Sequence, residues 1–211
     1  MTHATKNGRQ KASAQERQAG IIAAAAALFA RRGFTGATTK AIAKAARCSE
    51  ALVFKYFPTK RALYSAILAE KVPLGEMMTA VEDAAKKKDD RLVFSTLARH
   101  RIRRGADPTL LRLLLFSALE GHELSKMFFK NQHRVFYDYL AAYIEQRIQD
   151  GAFRRVDPLL AARSFMSLIA HHRLLHELFG VALHRSPEDC VESYVSLFLD
   201  GIQTNGGKAR A

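Results

Sequence analysis

Few side chains in this 211-residue sequence are grouped in a way that could do chemistry. The densest cluster is His171-His172-Arg173-Leu174-Leu175-His176-Glu177, in which His172 and His176 stand four apart and share a helix face. Imidazoles at that spacing can hold a divalent metal, and an all-α metal-dependent enzyme built on His171, His172 and His176 is the chemistry they would support. The zinc-protease arrangement needs a glutamate directly after the first histidine, which this run lacks, and no nearby cysteine completes a ligand set. Histidines lining a polar part of a binding pocket, or a subunit seam, are the alternative. Cys48 and Cys190 are too few and too far apart for a disulfide framework or a zinc cluster. They read as small apolar side chains in a reducing cytoplasm. No Gly-rich phosphate loop, GxSxG elbow or paired-carboxylate motif occurs. Neither an enzyme nor a bound metal or cofactor is therefore expected.

The other concentration of chemistry is charge. Thirty-three lysines and arginines face 20 acids, a net charge of +13. Residues 1–60 hold eleven of the bases, Lys6, Arg9, Lys11, Arg17, Arg31, Arg32, Lys40, Lys44, Arg47, Lys55 and Lys60, against Glu16 and Glu50 alone. Nine of the thirteen net charges thus sit in that stretch, and a polyanion is its natural partner. Charge does not choose between DNA, RNA and an anionic membrane; a non-specific basic binder of either of the last two is the rival reading. No segment approaches the roughly 20 apolar residues of a bilayer span, and no secretory signal is evident, so no membrane partner is expected.

Helical spacing of apolar residues runs almost throughout, which predicts an all-α chain of about nine helices split near residue 70. Residues 1–13 read as a flexible basic arm. A helix over about 15–32 presents Ile21, Ile22, Ala25, Leu28 and Phe29 on one stripe and stops at Gly33. A second begins at Thr38 or Thr39 and turns Ile42, Ala43 and Ala46 inward. Ser49 caps a short third helix ending near Phe57, and Pro58-Thr59 opens a fourth with Leu63 and Ile67 inside. Further on, Asp107-Pro108, Asp157-Pro158 and Ser186-Pro187 are capping residues followed by proline, and they place helices at about 108–121, 158–179 and 187–203. Segments 90–103 and 125–149 are also helical by pattern, Gly151 ends the latter, and 204–211 reads as a disordered tail.

Short helices in the most basic stretch suggest a helix-turn-helix over about 38–57, whose second helix enters the major groove. With Val53 inward, Phe57 and Ser49 fall on the same side at about 100° per residue, and Ala51 and Lys55 fall opposite, flanked by Leu52 and Phe54. Free N–H groups at Ser49 and Glu50 favour a phosphate. Glu50 either accepts from a cytosine amine or merely suits the helix start. Thr39 either meets a phosphate or caps its helix. Lys60 opposes the dipole of its own helix, so a phosphate explains it better than structure does.

The runs Gly33-Phe34-Thr35-Gly36-Ala37-Thr38-Thr39-Lys40-Ala41-Ile42-Ala43 and Ser49-Glu50-Ala51-Leu52-Val53-Phe54-Lys55-Tyr56-Phe57-Pro58-Thr59-Lys60-Arg61-Ala62-Leu63, with Ile21-Ile22 and Ala27-Leu28-Phe29 upstream, resemble the DNA-binding domain of the TetR family of bacterial regulators. The resemblance covers about 15–75. It implies a DNA-binding domain at 14–75, a helical effector-binding and dimerisation domain at 76–203, and a homodimer over a pseudo-palindromic duplex. Thr39 and Lys60 would hold phosphates, Tyr56 would contact the backbone, and Glu50, Ala51, Phe54 and Lys55 would face bases or the groove wall, with Thr38, Lys40, Arg47 and Ser49 beside them. The chain departs from the family at Arg47, where glycine is usual, and at Phe54, where tyrosine is common. If Arg47 needs φ > 0 it costs about 1 kcal/mol against glycine, and a phosphate contact from its guanidinium would offset that. Phe54 lacks the hydroxyl for a phosphate, but its ring can touch a thymine methyl.

The resemblance further implies a repressor released from its operator by a small-molecule effector. Phe116, Phe128, Phe136, Tyr139, Tyr143 and Phe165, with His172, either line the effector pocket or are ordinary core. Val191, Tyr194, Val195, Phe198, Leu199 and Ile202 make a continuous stripe, and the helix at 158–179 is apolar on more than one side. Met166, Val191, Tyr194, Val195, Phe198 and Ile202 are the candidate dimer seam; an ordinary intramolecular core is the other reading, and both can hold at once.

Overall fold

A computed structural model describes residues 13–71, 75–102, 108–121, 123–130 and 134–204, and the chain falls into two compact units, Met1–Glu70 and Lys71–Ala211. All regular structure among the described residues is helical, apart from a lone antiparallel bridge between Phe153 and Gln203. The basic arm and the tail lie outside the described residues except for Ser13 and Thr204, and both of these are ordered. Ser13 caps the first helix in a reciprocal box with Glu16, and the Thr204 hydroxyl donates to the Gly151 carbonyl at 2.8 Å.

The first unit comprises α1 (Ala14–Gly36), α2 (Thr39–Ala45), α3 (Glu50–Tyr56) and α4 (Lys60–Lys71). Ile21, Ile22, Ala25, Leu28 and Phe29 of α1 are buried, as are Ile42 and Ala43 of α2, Val53 of α3 and Leu63, Tyr64 and Ile67 of α4, and the Phe29 and Tyr64 rings meet at 6.0 Å. The expected stop at Gly33 is a kink instead: its φ of 70° and ψ of 176° break the helix, which resumes for one turn. That turn carries Phe34 onto the rings of Phe29 and Tyr64, at 5.3 and 6.0 Å. Edge and offset ring contacts of this kind add about 0.5–1.5 kcal/mol each beyond area burial.

The second unit comprises α5 (Gly75–Lys86), α6 (Asp90–Ile102), α7 (Thr109–Leu119), α8 (Glu123–Phe128), α9 (Arg134–Gln149), α10 (Pro158–Phe179) and α11 (Pro187–Ile202). The Asp157 and Ser186 caps form as expected, at 2.7 and 3.1 Å, each with proline directly after. Pro108 itself occupies the cap position of α7, and Asp107 lies outside the described residues. Over the stretch 125–149, anticipated as one helix, the described residues form α8 and α9, with 131–133 outside them, and α5 has no counterpart in the sequence reading.

Packing in this unit centres on Phe94 of α6, whose ring stands 4.8 Å from Phe165 of α10 and 4.9 Å from Phe198 of α11. All three are buried, and truncating one would cost about 3–5 kcal/mol. Beneath them the Asp90 carboxylate accepts from Arg147 at 2.8 and 3.0 Å and from the Tyr143 hydroxyl at 2.6 Å. Burial, then that bond to Asp90, pushes the Tyr143 phenol far above its ordinary range. The network ties α6 to α9.

Candidate nucleic-acid interface and effector cleft

The helix-turn-helix is assembled by two local caps and one strained residue. The Thr38 hydroxyl accepts from the Ala41 N–H at 3.2 Å, and the Ser49 hydroxyl accepts from the Leu52 N–H at 3.2 Å. Capping of α2 therefore belongs to Thr38, which leaves the half-buried Thr39 without that explanation. Between α2 and α3 the chain reverses through Arg47 at φ 53°, while the Cys48 N–H reaches back to the Ala43 carbonyl at 3.0 Å. The glycine-like conformation anticipated for the turn is thus present, on an exposed arginine.

Val53 and the following Phe57 are buried, which orients α3. Its outer face presents Glu50, Ala51, Phe54 and Lys55 to solvent, and the Phe54 ring is 49% exposed. Lys40, Arg47 and Lys55 are exposed alongside, while Tyr56 is half-buried with its ring 6.4 Å from Phe57. Lys60 corrects the sequence reading. Its ammonium donates to the Phe34 carbonyl at 2.5 Å and lies 4.4 Å from the centre of the Phe34 ring. An intramolecular acceptor 26 residues away, joined by ring electrostatics, accounts for a lysine in that first turn, so no phosphate is needed to explain it.

In the second unit, Phe136, Tyr143 and Phe165 are buried in the core. Phe116 and Tyr139 are half-buried. A cleft of about 570 Å³, counting the part open to solvent, lies elsewhere. Its walls are Arg101 of α6, Leu110, Leu111 and Leu114 of α7, Phe128 of α8, Tyr137 of α9 and Met166, Ile169, Ala170 and Arg173 of α10. Of the aromatic residues considered for a cavity only Phe128 reaches it; Phe116, Phe136, Tyr139, Tyr143, Phe165 and His172 do not. Residue type and helical position suggested aromatics facing inward, but which helices part to leave space is decided by packing.

His172 instead bonds the Tyr194 hydroxyl through Nδ1 at 3.1 Å, and its ring stacks at 6.2 Å on His176. Burial, and next the neighbouring His176, lowers its pKa. Among the described residues no three His, Cys, Asp or Glu side chains converge as a metal site.

Of the seam residues, Phe198 and Ile202 line an open trough along α10 and α11. Met166, Val191, Val195, Phe198 and Ile202 are buried within the unit itself, and Tyr194 is half-buried against His172. Among the apolar side chains that α10 and α11 leave open are Leu160 and Leu197, 63% and 69% exposed, with Leu168, while Phe179 is exposed at the end of α10. The three leucines border the trough, of about 800 Å³ and open to solvent, which runs along both helices over Ala161, Ser164 and Gly201. A regular apolar stripe announces a buried face without naming what buries it, and Phe198 of that stripe packs on Phe94 and Phe165.

With this geometry in place, comparison with known proteins is informative. Residues 21–67 match the family model for bacterial regulatory proteins of the tetR family. Residues 99–201 match the C-terminal domain of AefR-like transcriptional repressors. Comparison with curated protein sequences finds no match. Among solved structures, a Pseudomonas aeruginosa PAO1 protein described as a transcriptional regulator superimposes with a TM-score of 0.70 at 24% identity, over 90% of this chain and 92% of its own. A TetR family transcriptional regulator from Pseudomonas syringae pv. tomato DC3000 does so at 0.65 and 23%, over 92% and 100%. AibR, solved with isovaleryl coenzyme A and operator DNA, does so at 0.66 and 24%, over 86% and 97%. With an N-terminal and a C-terminal model both matched, and a two-unit helical fold that agrees, this chain belongs to the TetR family of transcriptional regulators.

Proposed function

We propose that the chain is a dimeric, sequence-specific repressor that leaves its operator when a small molecule occupies the second unit. The observation that carries DNA binding is the outer face of α3. It offers a small residue, an exposed aromatic ring and a lysine (Ala51, Phe54, Lys55) beside the exposed bases Lys40 and Arg47, while Val53 fixes the helix from beneath. Lys55 and Phe54 read base edges, the ring against a thymine methyl, and Thr39, Lys40, Arg47 and Tyr56 hold the backbone. Lys60, anchored to the Phe34 carbonyl, positions the start of α4.

Pairing of two copies through the Leu160 and Leu197 trough supplies the two-fold axis. Two recognition helices then meet successive major grooves about 34–36 Å apart. The AibR structure, with operator DNA and isovaleryl coenzyme A together, supports both a duplex and a small molecule as partners. A ligand moves this equilibrium only by its differential affinity for the bound and released states. Among the described residues no helix is long and apolar enough to cross a membrane.

The test is selection of bound duplexes from a random library at two salt concentrations. A pseudo-palindrome with steeply salt-dependent affinity is expected, and Lys55→Ala should shift the recovered bases rather than abolish binding. Recovery of no preferred sequence would overturn the proposal in favour of a non-specific basic surface.

A further inference from the structure

The last turn of α11 is held from outside its own helix. The final carbonyls of a helix lack intrahelical donors, and α11 has no basic side chain in its last turn to serve them. Arg154, on the connector between α9 and α10, does so instead. Its backbone N–H donates to the Ile202 carbonyl at 2.8 Å, and its Nε donates to the Gly201 carbonyl at 2.6 Å. A cation at this point also suits the negative end of the helix dipole. Beside it, the Thr204 N–H donates to the Ala152 carbonyl at 2.9 Å, and the Thr204 hydroxyl to the Gly151 carbonyl at 2.8 Å. The connector is in turn rooted in the core by Phe153, 2% exposed, and Arg154 alternates outward from it as the next residue of an extended segment.

This clamp forms one end of the trough along α10 and α11. Arg154, Val156 and Asp157 line that end from the connector, and Gly201 and Ile202 line it from α11. The stance of the last turn of α11 against the start of α10 therefore sets the trough's width, and Arg154 holds that turn. We propose that Arg154 is the positioning residue of the subunit seam, shaping the trough for a second copy of this chain. The proposal deepens the dimer reading above and rests on it.

Three features suit the trough to a second copy. It carries knobs and holes together, since Leu160 and Leu197 stand out from it while the small residues Ala161, Ser164 and Gly201 leave hollows beside them. A two-fold interface sets one patch against itself, so such a patch must complement its own image. Its rim likewise carries both signs of charge, on Arg154 and Asp157. Gly201 is the third feature. A Cβ there would meet nothing within 4 Å, so the single chain does not require glycine, a residue that weakens a helix. The bare position leaves room for another surface.

Sedimentation velocity over a range of concentrations, with circular dichroism on the same samples of full chain, tests the proposal. Arg154→Met should keep its helix content yet weaken the dimer by about tenfold or more, through loss of a charge-assisted bond in each subunit. Arg154→Lys retains a cationic donor at the helix end and should restore affinity to within about threefold of wild type. Thr204→Val removes another bond of the clamp, from an exposed residue that does not line the trough, and should weaken the dimer in the same direction. Wild-type affinity in Arg154→Met would overturn the proposal. Wild-type affinity in Thr204→Val would overturn it too, by making Arg154 a direct contact across the seam. Gly201→Leu tests the seam reading separately, because it fills the trough on a chain that has space for it, and folded monomers are expected. A Gly201→Leu dimer of wild-type affinity would overturn that underlying reading. Gly201→Leu monomers beside an unaffected Arg154→Met dimer would overturn the clamp alone.

Discussion

Arg47→Gly should stabilise the protein and weaken its hold on DNA, two effects that ordinarily move together in a surface substitution. Arg47 sits at φ 53° between two caps, with its own N–H directed to the Lys44 carbonyl at 3.2 Å. The left-handed region costs an L-residue about 1–2 kcal/mol, and glycine gives back about 0.5–1 kcal/mol through its freer unfolded chain. A net gain of roughly 0.5–1 kcal/mol remains, a rise in Tm of about 1–4 °C for a chain of this length. The strain is present in free and DNA-bound protein alike, so relieving it does not alter affinity. Loss of the guanidinium does. One phosphate contact per subunit, at about 1 kcal/mol each, lowers a dimer's affinity by about thirtyfold and its salt slope by about 1.8. Scanning calorimetry and fluorescence anisotropy on the selected duplex, with Arg47→Lys as a charge-retaining control, read the two quantities separately. Tighter or equal binding by the glycine variant would refute the phosphate contact, and an unchanged Tm would refute the strain argument.

Three further outcomes are expected. Lys60→Met should lower stability in urea denaturation by about 1.5–3 kcal/mol, because the Phe34 carbonyl loses a charged donor and the ring its cation; an unchanged midpoint would return Lys60 to a purely DNA-facing role. Leu197→Glu should yield folded monomers in analytical ultracentrifugation, since the side chain is 69% exposed on the single chain, whereas Phe198→Glu should unfold the unit; a Leu197→Glu dimer would move the seam elsewhere. Burial, then His176, holds the folded-state pKa of His172 below its unfolded value. Its contribution is accordingly full above the unfolded histidine pKa of about 6.5 and is lost as pH falls through the lower folded value. Thermal melts of His172→Gln should show a shallower loss of stability over that interval, and superimposable pH profiles would exclude this residue as the source.

The helix starts at Ser49, Asp157 and Ser186 were legible because a cap is a bond between residues three apart, fixed by local geometry, whereas the choice between Thr38 and Thr39 for α2 was settled by the structure. The inward turn of Val53 and Phe57, and so the outward face of α3, follow from helical periodicity for the same reason. The need for a positive φ at residue 47 was legible as a departure from the family's glycine. Other features depended on partners far along the chain. Lys60 found the Phe34 carbonyl, Phe198 found Phe94, and the Asp90 carboxylate found Arg147 and Tyr143 across more than fifty residues. The same ambiguity hid the cleft, since aromatic side chains on inward faces filled the core and the space opened beside leucines and two arginines. Sequence determined which faces are apolar and where helices begin; only the tertiary structure decided what each face meets, because apolar attraction is non-directional and many partners satisfy one pattern.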